Sequence, residues 1–185
     1  MKLKMKKVAI LATNGFEDSE LRSPKESMEE EGFQVDIVSL ESGKIKGWEK
    51  GNWASEINVD RTVKEASAND YDALMIPGGV INPDKLRREE PALNFVKDFF
   101  KSKKPVGAIC HAPWVLISAG VVKDRKMTSF HSIKDDVINA GGKWEDKEVV
   151  VDQGFVTSRS PEDLPAFNKK LIEEIKEGKH ERQHA

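Results

Sequence analysis

The stretch Pro105-Val-Gly-Ala-Ile-Cys-His-Ala-Pro-Trp114 decides how the rest of the chain is read. Its first part, residues 106–109, is a short apolar run of the kind that forms a buried parallel strand. The chain then turns at Cys110-His111, and Trp114, Val115, Leu116 and Ile117 read as the buried side of a helix. A cysteine between strand and helix sits on a sharp turn above the sheet edge. It also lies near a helix N-terminus, whose partial positive charge favours thiolate over thiol. Cys110 is the single cysteine of the chain. The expectation is a reactive nucleophile, set against the inert small hydrophobe that many lone buried cysteines are.

Outward from this stretch, strand and helix signals alternate. Residues 7–12 form a short aliphatic run. Residues 18–31 read as a charged amphipathic helix, broken or restarted at Ser23-Pro24 and closed by Gly32. Residues 33–40 alternate as a second strand. Residues 41–59, with three glycines, Trp48 and Trp53, read as a hairpin-like surface excursion. A third core strand over 71–76 ends in Pro77-Gly78-Gly79, and helical patterns follow over 83–87 and 89–103. Beyond the Cys110 segment come a strand at 126–129, a helix at 133–140, a hairpin over 148–157 and a last helix at 161–176. Such alternation implies an α/β fold with a mostly parallel sheet covered on both faces. Functional groups then collect at the carboxyl ends of the strands. Three loops lie there: residues 13–17, 78–84 and 110–114.

Composition limits the function classes. A chain of 185 residues that is 38% hydrophobic holds one domain, residues 1–185, with 1–6 and 178–185 as solvated tails and His180 and His184 uninvolved. Charged residues make up 34% but nearly cancel, to a net −2. That gives no electrostatic case for nucleic acid or an acidic membrane. One cysteine excludes an internal disulfide framework and fits a cytoplasmic setting. The basic start at residues 1–7 precedes an apolar run too short for a signal peptide, and nothing reaches transmembrane length. No nucleotide-binding glycine pattern and no metal-ligand spacing is present, so no cofactor or metal is expected.

Several residues can join Cys110 in chemistry. His111 could accept the thiol proton or protonate a leaving group. Adjacent residues on a helix do not face each other, so a first-turn polar role is equally open. Glu17 ends the loop after the first strand and can overhang the same sheet edge. A carboxyl group near a thiol and apolar walls is expected to stay protonated and donate a hydrogen bond to sulfur. The bland reading of Glu17 is a helix-capping carboxylate. Gly78 and Gly79 suit a turn whose N–H groups form half of an oxyanion hole, completed beside Cys110.

Together the segments Phe16-Glu-Asp18, Tyr71-Asp-Ala-Leu-Met-Ile-Pro-Gly-Gly79 and Ala108-Ile-Cys-His-Ala-Pro113 resemble the ThiJ/PfpI superfamily. Further marks are Ile133-Lys-Asp-Asp-Val-Ile-Asn-Ala-Gly141, Glu148-Val-Val-Val-Asp152 and Thr157-Ser-Arg-Ser-Pro-Glu-Asp-Leu-Pro-Ala-Phe-Asn168. The resemblance is nearest to the intracellular peptidase and general-stress-protein group and spans most of the chain. It implies a flavodoxin-like doubly wound fold of the class I glutamine amidotransferase-like type. It also implies Cys110 as nucleophile on a strained elbow, Glu17 as the carboxyl group contacting it, and His111 as the catalytic histidine. The acid that orients His111 would be Asp84, contributed across an interface in a homo-oligomer, a dimer or a trimer of dimers. Trp114 follows Cys-His-Ala-Pro and would narrow the pocket, while His131 falls in a loop near the site in some relatives.

The function implied is a stress-response enzyme acting on small carbonyls or glycated proteins, of deglycase or glutathione-independent glyoxalase type. Two other readings stand beside it: an ATP-independent cysteine peptidase, and a non-catalytic redox sensor or holdase whose thiol oxidises to sulfinate.

Overall fold

A computed structural model describes residues 4–183. The order of elements begins with β1 (Lys7–Leu11), a two-residue β2 (Phe16–Glu17), α1 (Asp18–Glu30) and β3 (Gln34–Ser39). Next come β4 (Lys44–Glu49), β5 (Asn52–Asn58), β6 (Arg61–Thr62), β7 (Ala73–Ile76), α2 (Ile81–Leu86) and α3 (Glu90–Lys101). The second half holds β8 (Val106–Ile109), α4 (Pro113–Ala119), β9 (Lys126–Met127), α5 (Lys134–Asn139) and β10 (Lys143–Trp144). It closes with β11 (Val150–Asp152), β12 (Phe155–Ser158) and α6 (Leu164–Glu177).

The central sheet has seven strands in the order β11-β12-β8-β7-β1-β3-β6. All its pairings are parallel except the β11–β12 hairpin. The period-2 geometry of a strand splits its side chains between two cores. Ala9 and Leu11 of β1, with Leu74 and Ile76 of β7, face Phe95, Phe99, Phe100, Val115 and Leu116 of α3 and α4. Val8, Ile10, Ala73 and Met75 face the other way, onto Leu21 and Met28 of α1 and Phe167 and Leu171 of α6. Helices on both faces make the fold flavodoxin-like and doubly wound, as expected from the alternation. Each fully buried Phe or Leu contributes roughly 1.5–3 kcal/mol of apolar burial to that sandwich.

Two local outcomes, at α1 and at the C-terminal residues, differ from the sequence reading, while the excursion forms the hairpin expected. Helix α1 runs unbroken through Pro24, which is buried with Leu21 and Met28, so packing of that stripe outweighs the lost backbone bond. The excursion is an antiparallel hairpin, β4 with β5, and its Trp48 and Trp53 meet edge to face at 5.2 Å. Strand β2 joins it as a third strand, which brings the hairpin over the sheet edge. Residues 178–183 are not a solvated tail: the His180 N–H donates to the Lys103 carbonyl at 3.0 Å, and Gln183 is 1% exposed. His184 lies outside the described residues.

Candidate active site

Strand β8 ends at Ile109, and the next residue turns the chain sharply. Cys110 adopts φ +63°, the left-handed region that non-glycine residues avoid at a cost of about 1–3 kcal/mol. Two backbone bonds hold it there. The Cys110 N–H donates to the Ser158 carbonyl at 3.0 Å, and the Cys110 carbonyl accepts from Phe130 N–H at 2.9 Å. The sulfur is thereby presented at the carboxyl end of the sheet, as read from the sequence.

The carboxyl group at the sulfur belongs to Glu20, one turn into α1, rather than to Glu17. Glu20 is fully buried, its Oε1 accepts the Gly78 N–H at 3.0 Å, and its carboxyl lies close enough to the Cys110 thiol to affect its ionisation. Burial, followed by the nearby Glu17 charge, pushes the Glu20 carboxyl up to about 8. It is therefore mainly protonated at neutral pH and can act as a donor. The Cys110 thiol is also raised, first by burial and then by any charge on Glu20, and is drawn back by the N–H groups of Gly79 and His111. With Glu20 neutral the second upward push vanishes. Ionisation of Glu20 thus opposes ionisation of the thiol.

The Gly78-Gly79 turn is required by crowding. A Cβ on Gly78 would lie 2.7 Å from Glu20 Oε1 and 2.8 Å from Cys110 Cβ, and Gly79 takes φ +79°. The Gly78 N–H is committed to Glu20, so the free donors near the sulfur are the N–H groups of Gly79 and His111. The turn is locked by Asn82, which the sequence reading passed over. Its side chain accepts from Thr13 N–H at 2.7 Å and donates to the Pro77 and Gly78 carbonyls at 2.9 and 3.2 Å.

His111 does turn toward its neighbour, with Nδ1 3.2 Å from the Cys110 sulfur and Nε2 3.3 Å from the Ser132 hydroxyl. Its ring stacks on Phe130 at 4.8 Å and meets Trp114 edge-on at 5.0 Å. Burial, reinforced by His131, lowers its pKa, with Asp136 opposing, so the ring is neutral at physiological pH. Ser132 is a second residue that the sequence reading missed.

A cavity of about 370 Å³ opens onto Cys110 and His111, walled by Glu17, Glu20, Trp48, Gly79, Val80, Ile81 and Phe130. Glu17 is a half-buried wall residue whose carboxyl is raised by desolvation and then by Glu49 and Asp18. Trp114 does not line this cavity. It sits beside the buried stripe of α4, and its Nε1 donates to Asp136 at 2.9 Å, so it braces His111 from outside. His131 is exposed and lies against Phe130 at 4.4 Å, bordering an adjacent cleft with Asp146 and Arg159. Asp84 is exposed on α2 and is not part of the cavity wall within one chain. A second, more polar hollow above β1 and β3, lined by Lys44, Lys85 and Arg88, holds none of the predicted site residues.

Residues 6–174 match the model of the DJ-1/PfpI family. The chain belongs to the DJ-1/PfpI family. It is 43% identical over 171 residues to a putative cysteine protease, YraA, of Bacillus subtilis, covering 92% of this chain and 99% of that protein. It is 44% identical over 168 residues to protein/nucleic acid deglycase 2 of Escherichia coli, covering 90% and 96%. Among solved structures, a two-domain Anabaena variabilis protein with DJ-1/ThiJ/PfpI-like and ferritin-like domains superposes with TM-score 0.87 at 36% identity. That match covers 92% of this chain and 48% of the other. As a DJ-1/PfpI protein at these identities, the chain is an enzyme with a cysteine nucleophile. Among the described residues no helix is long and apolar enough to cross a membrane.

Proposed function

We propose that the chain is a Cys110-dependent deglycase of glyoxalase type, acting on 2-oxoaldehydes and on their early adducts with amino groups. The observation that carries this is a buried thiol flanked by a protonated carboxyl, Glu20, and a neutral imidazole, His111, in one small cavity. Such an arrangement supplies a nucleophile, an acid and a base without a cofactor.

In the proposed reaction the Cys110 sulfur bonds to the aldehyde carbon. The carbonyl oxygen takes up the Glu20 proton, the thiol proton replaces it on the Glu20 carboxyl, and the N–H groups of Gly79 and His111 hold the developing charge. For an adduct on an amine, the carbon–nitrogen bond breaks as the carbon–sulfur bond forms, and the proton goes to the leaving amine. Neutral His111 then removes the proton on the carbon bonded to sulfur, giving an enediol. Return of that proton to the neighbouring carbon yields a 2-hydroxyacyl thioester. Water hydrolyses it to a 2-hydroxy acid and free thiol. The sum is oxoaldehyde plus water, with no external oxidant or reductant. Formation of lactate from methylglyoxal is the assay, and an unchanged rate in Cys110→Ala would end this reading.

We read Asp84 as the group that orients His111 from a second copy of the chain. In support, the outer nitrogen of His111 meets a hydroxyl rather than a carboxylate, and Asp84 stands exposed on the helix that follows the Gly78-Gly79 turn. Equal mixing of Cys110→Ser and Asp84→Asn chains tests it. Mixed oligomers should recover part of the activity, because an intact Cys110 can then sit beside an intact Asp84. The net charge of −2 favours recognition of the small carbonyl adduct over binding to a duplex, and a cytoplasmic location fits the free thiol.

The cavity also bears on the peptidase reading. A pocket of about 370 Å³ fits a few heavy atoms of substrate better than an extended peptide. Peptide hydrolysis should therefore be slower than carbonyl conversion.

A further inference from the structure

The end of the sheet opposite Cys110 carries a cluster that neither the fold nor the proposed reaction requires. Glu174 and Glu177 lie three residues apart on one face of α6. Gly178, at φ +90°, stops the helix and turns the chain back, so that His180 faces both carboxylates. A Cβ on Gly154 would lie 2.6 Å from the His180 ring, so the imidazole is wedged between α6 and the β11–β12 turn.

Glu174 is only 8% exposed, too buried for a carboxylate without a counter-charge. Its Oε2 lies 2.9 Å from His180 Nε2, an ion pair only if that ring is protonated, and neither buried atom has a hydrogen bond. Glu177 Oε2 is 3.7 Å from the same nitrogen. Donor atoms so close, with no hydrogen bond along the line between them, are placed to converge on a common point. All three ligand atoms fall within 4.8 Å of one another, close enough for one ion to draw them in to bonds of about 2.0–2.2 Å. The neighbouring Lys170 is engaged by Glu173 at 2.9 Å.

We propose that Glu174, Glu177 and His180 form a zinc site that fastens residues 178–183 to α6. One imidazole with two carboxylates suits zinc, leaving a fourth position for water, whereas magnesium and calcium favour all-oxygen shells. The match to the family model ends at residue 174, so Glu177 and His180 lie beyond it. The role is structural: the ion anchors a terminal strap that also closes over Arg125 through Gln183.

The test is isothermal titration of zinc into the full chain carrying Cys110→Ser, which removes the thiol as a competing ligand. One equivalent should bind. Glu174→Gln and His180→Ala should weaken binding by at least about tenfold, and the well-exposed Glu177→Gln, which leaves the fold intact, should weaken it measurably. Zinc should also slow amide hydrogen exchange at His180 and Gln183 in the Cys110→Ser chain but not once His180 is removed. Absence of zinc uptake, or uptake undiminished in both His180→Ala and Glu177→Gln, would overturn the proposal.

Discussion

The two ends of the central sheet bury polar groups in opposite ways. At the carboxyl end, Cys110 and Glu20 are buried side by side, both pushed toward their neutral forms, with backbone N–H groups supplying the donors. At the amino end, Arg125 is 2% exposed but matched: Asp152 Oδ2 lies at 3.3 Å, the Asp152 carbonyl at 2.8 Å, and the rings of Phe100 and Phe155 within 5.6 Å. One end keeps an unbalanced, titratable pair at a strained turn. The other neutralises its charge and closes it under residues 178–183. The difference separates chemistry from anchoring, since perturbed ionisation is useful only where a proton has to move.

Substitutions at the two ends should therefore fail differently. Cys110→Ala should lower lactate formation by at least about a thousandfold while leaving the melting temperature near wild type, because a nucleophile's loss removes the reaction rather than the fold. Arg125→Met breaks a buried pair and strands Asp152. It should cost about 3–5 kcal/mol by denaturant unfolding, with kcat per folded molecule unchanged. A loss of kcat without loss of stability would erase the contrast. Gly78→Ala should affect both properties, costing about 1–3 kcal/mol and displacing Glu20 or Cys110, since its Cβ has no room. Ser132→Ala should be mildest, a loss of several-fold in kcat/KM with unchanged stability, because its hydroxyl only positions His111.

Glu20 also sets a pH signature. Its folded pKa, about 8, lies above the ordinary carboxyl value of 4.5, so the folded chain holds a proton that the unfolded chain releases between those values. The contribution of Glu20 is fully present below about pH 4.5 and is lost as pH rises through about 8. Unfolding in urea across that window should show Glu20→Gln with a flatter dependence than wild type.

How far the sequence reaches follows from which interactions are local. The sheet was legible because each strand is a short apolar run between turn signals, and the cysteine turn was legible because strand and helix patterns abut at Cys110. The carboxyl partner was misplaced by one turn. Glu17 ends a loop and is conspicuous, whereas Glu20 is hidden among the charges of α1. A signal was present: Glu20 falls in register with buried Pro24 and Met28, so it lies on the stripe that faces the core. A charge in an apolar stripe marks a buried partner. Asn82 and Ser132 carry no such mark, because Asn82 ties the Gly78 turn to Thr13 and Ser132 reaches back to His111, both contacts between distant segments. Trp114 looked like a pocket wall, but it falls off the Val115, Leu116 and Ala119 stripe and turns to Asp136. The docked segment at residues 180–183, of which Gln183 is buried, has no apolar pattern, and its polar partners are set by tertiary contacts alone.

The pairing of Cys110 with Glu20 is the central claim, and alkylation of the thiol reads it directly. The rate of iodoacetamide reaction at Cys110, followed from pH 4 to 11, reports the thiolate. Wild type should show a compound profile, because ionisation of Glu20 near pH 8 opposes that of the sulfur. Glu20→Gln should collapse it to a single step, and Glu17→Gln should leave the wild-type shape. A profile simplified by Glu17→Gln and untouched by Glu20→Gln would contradict the account.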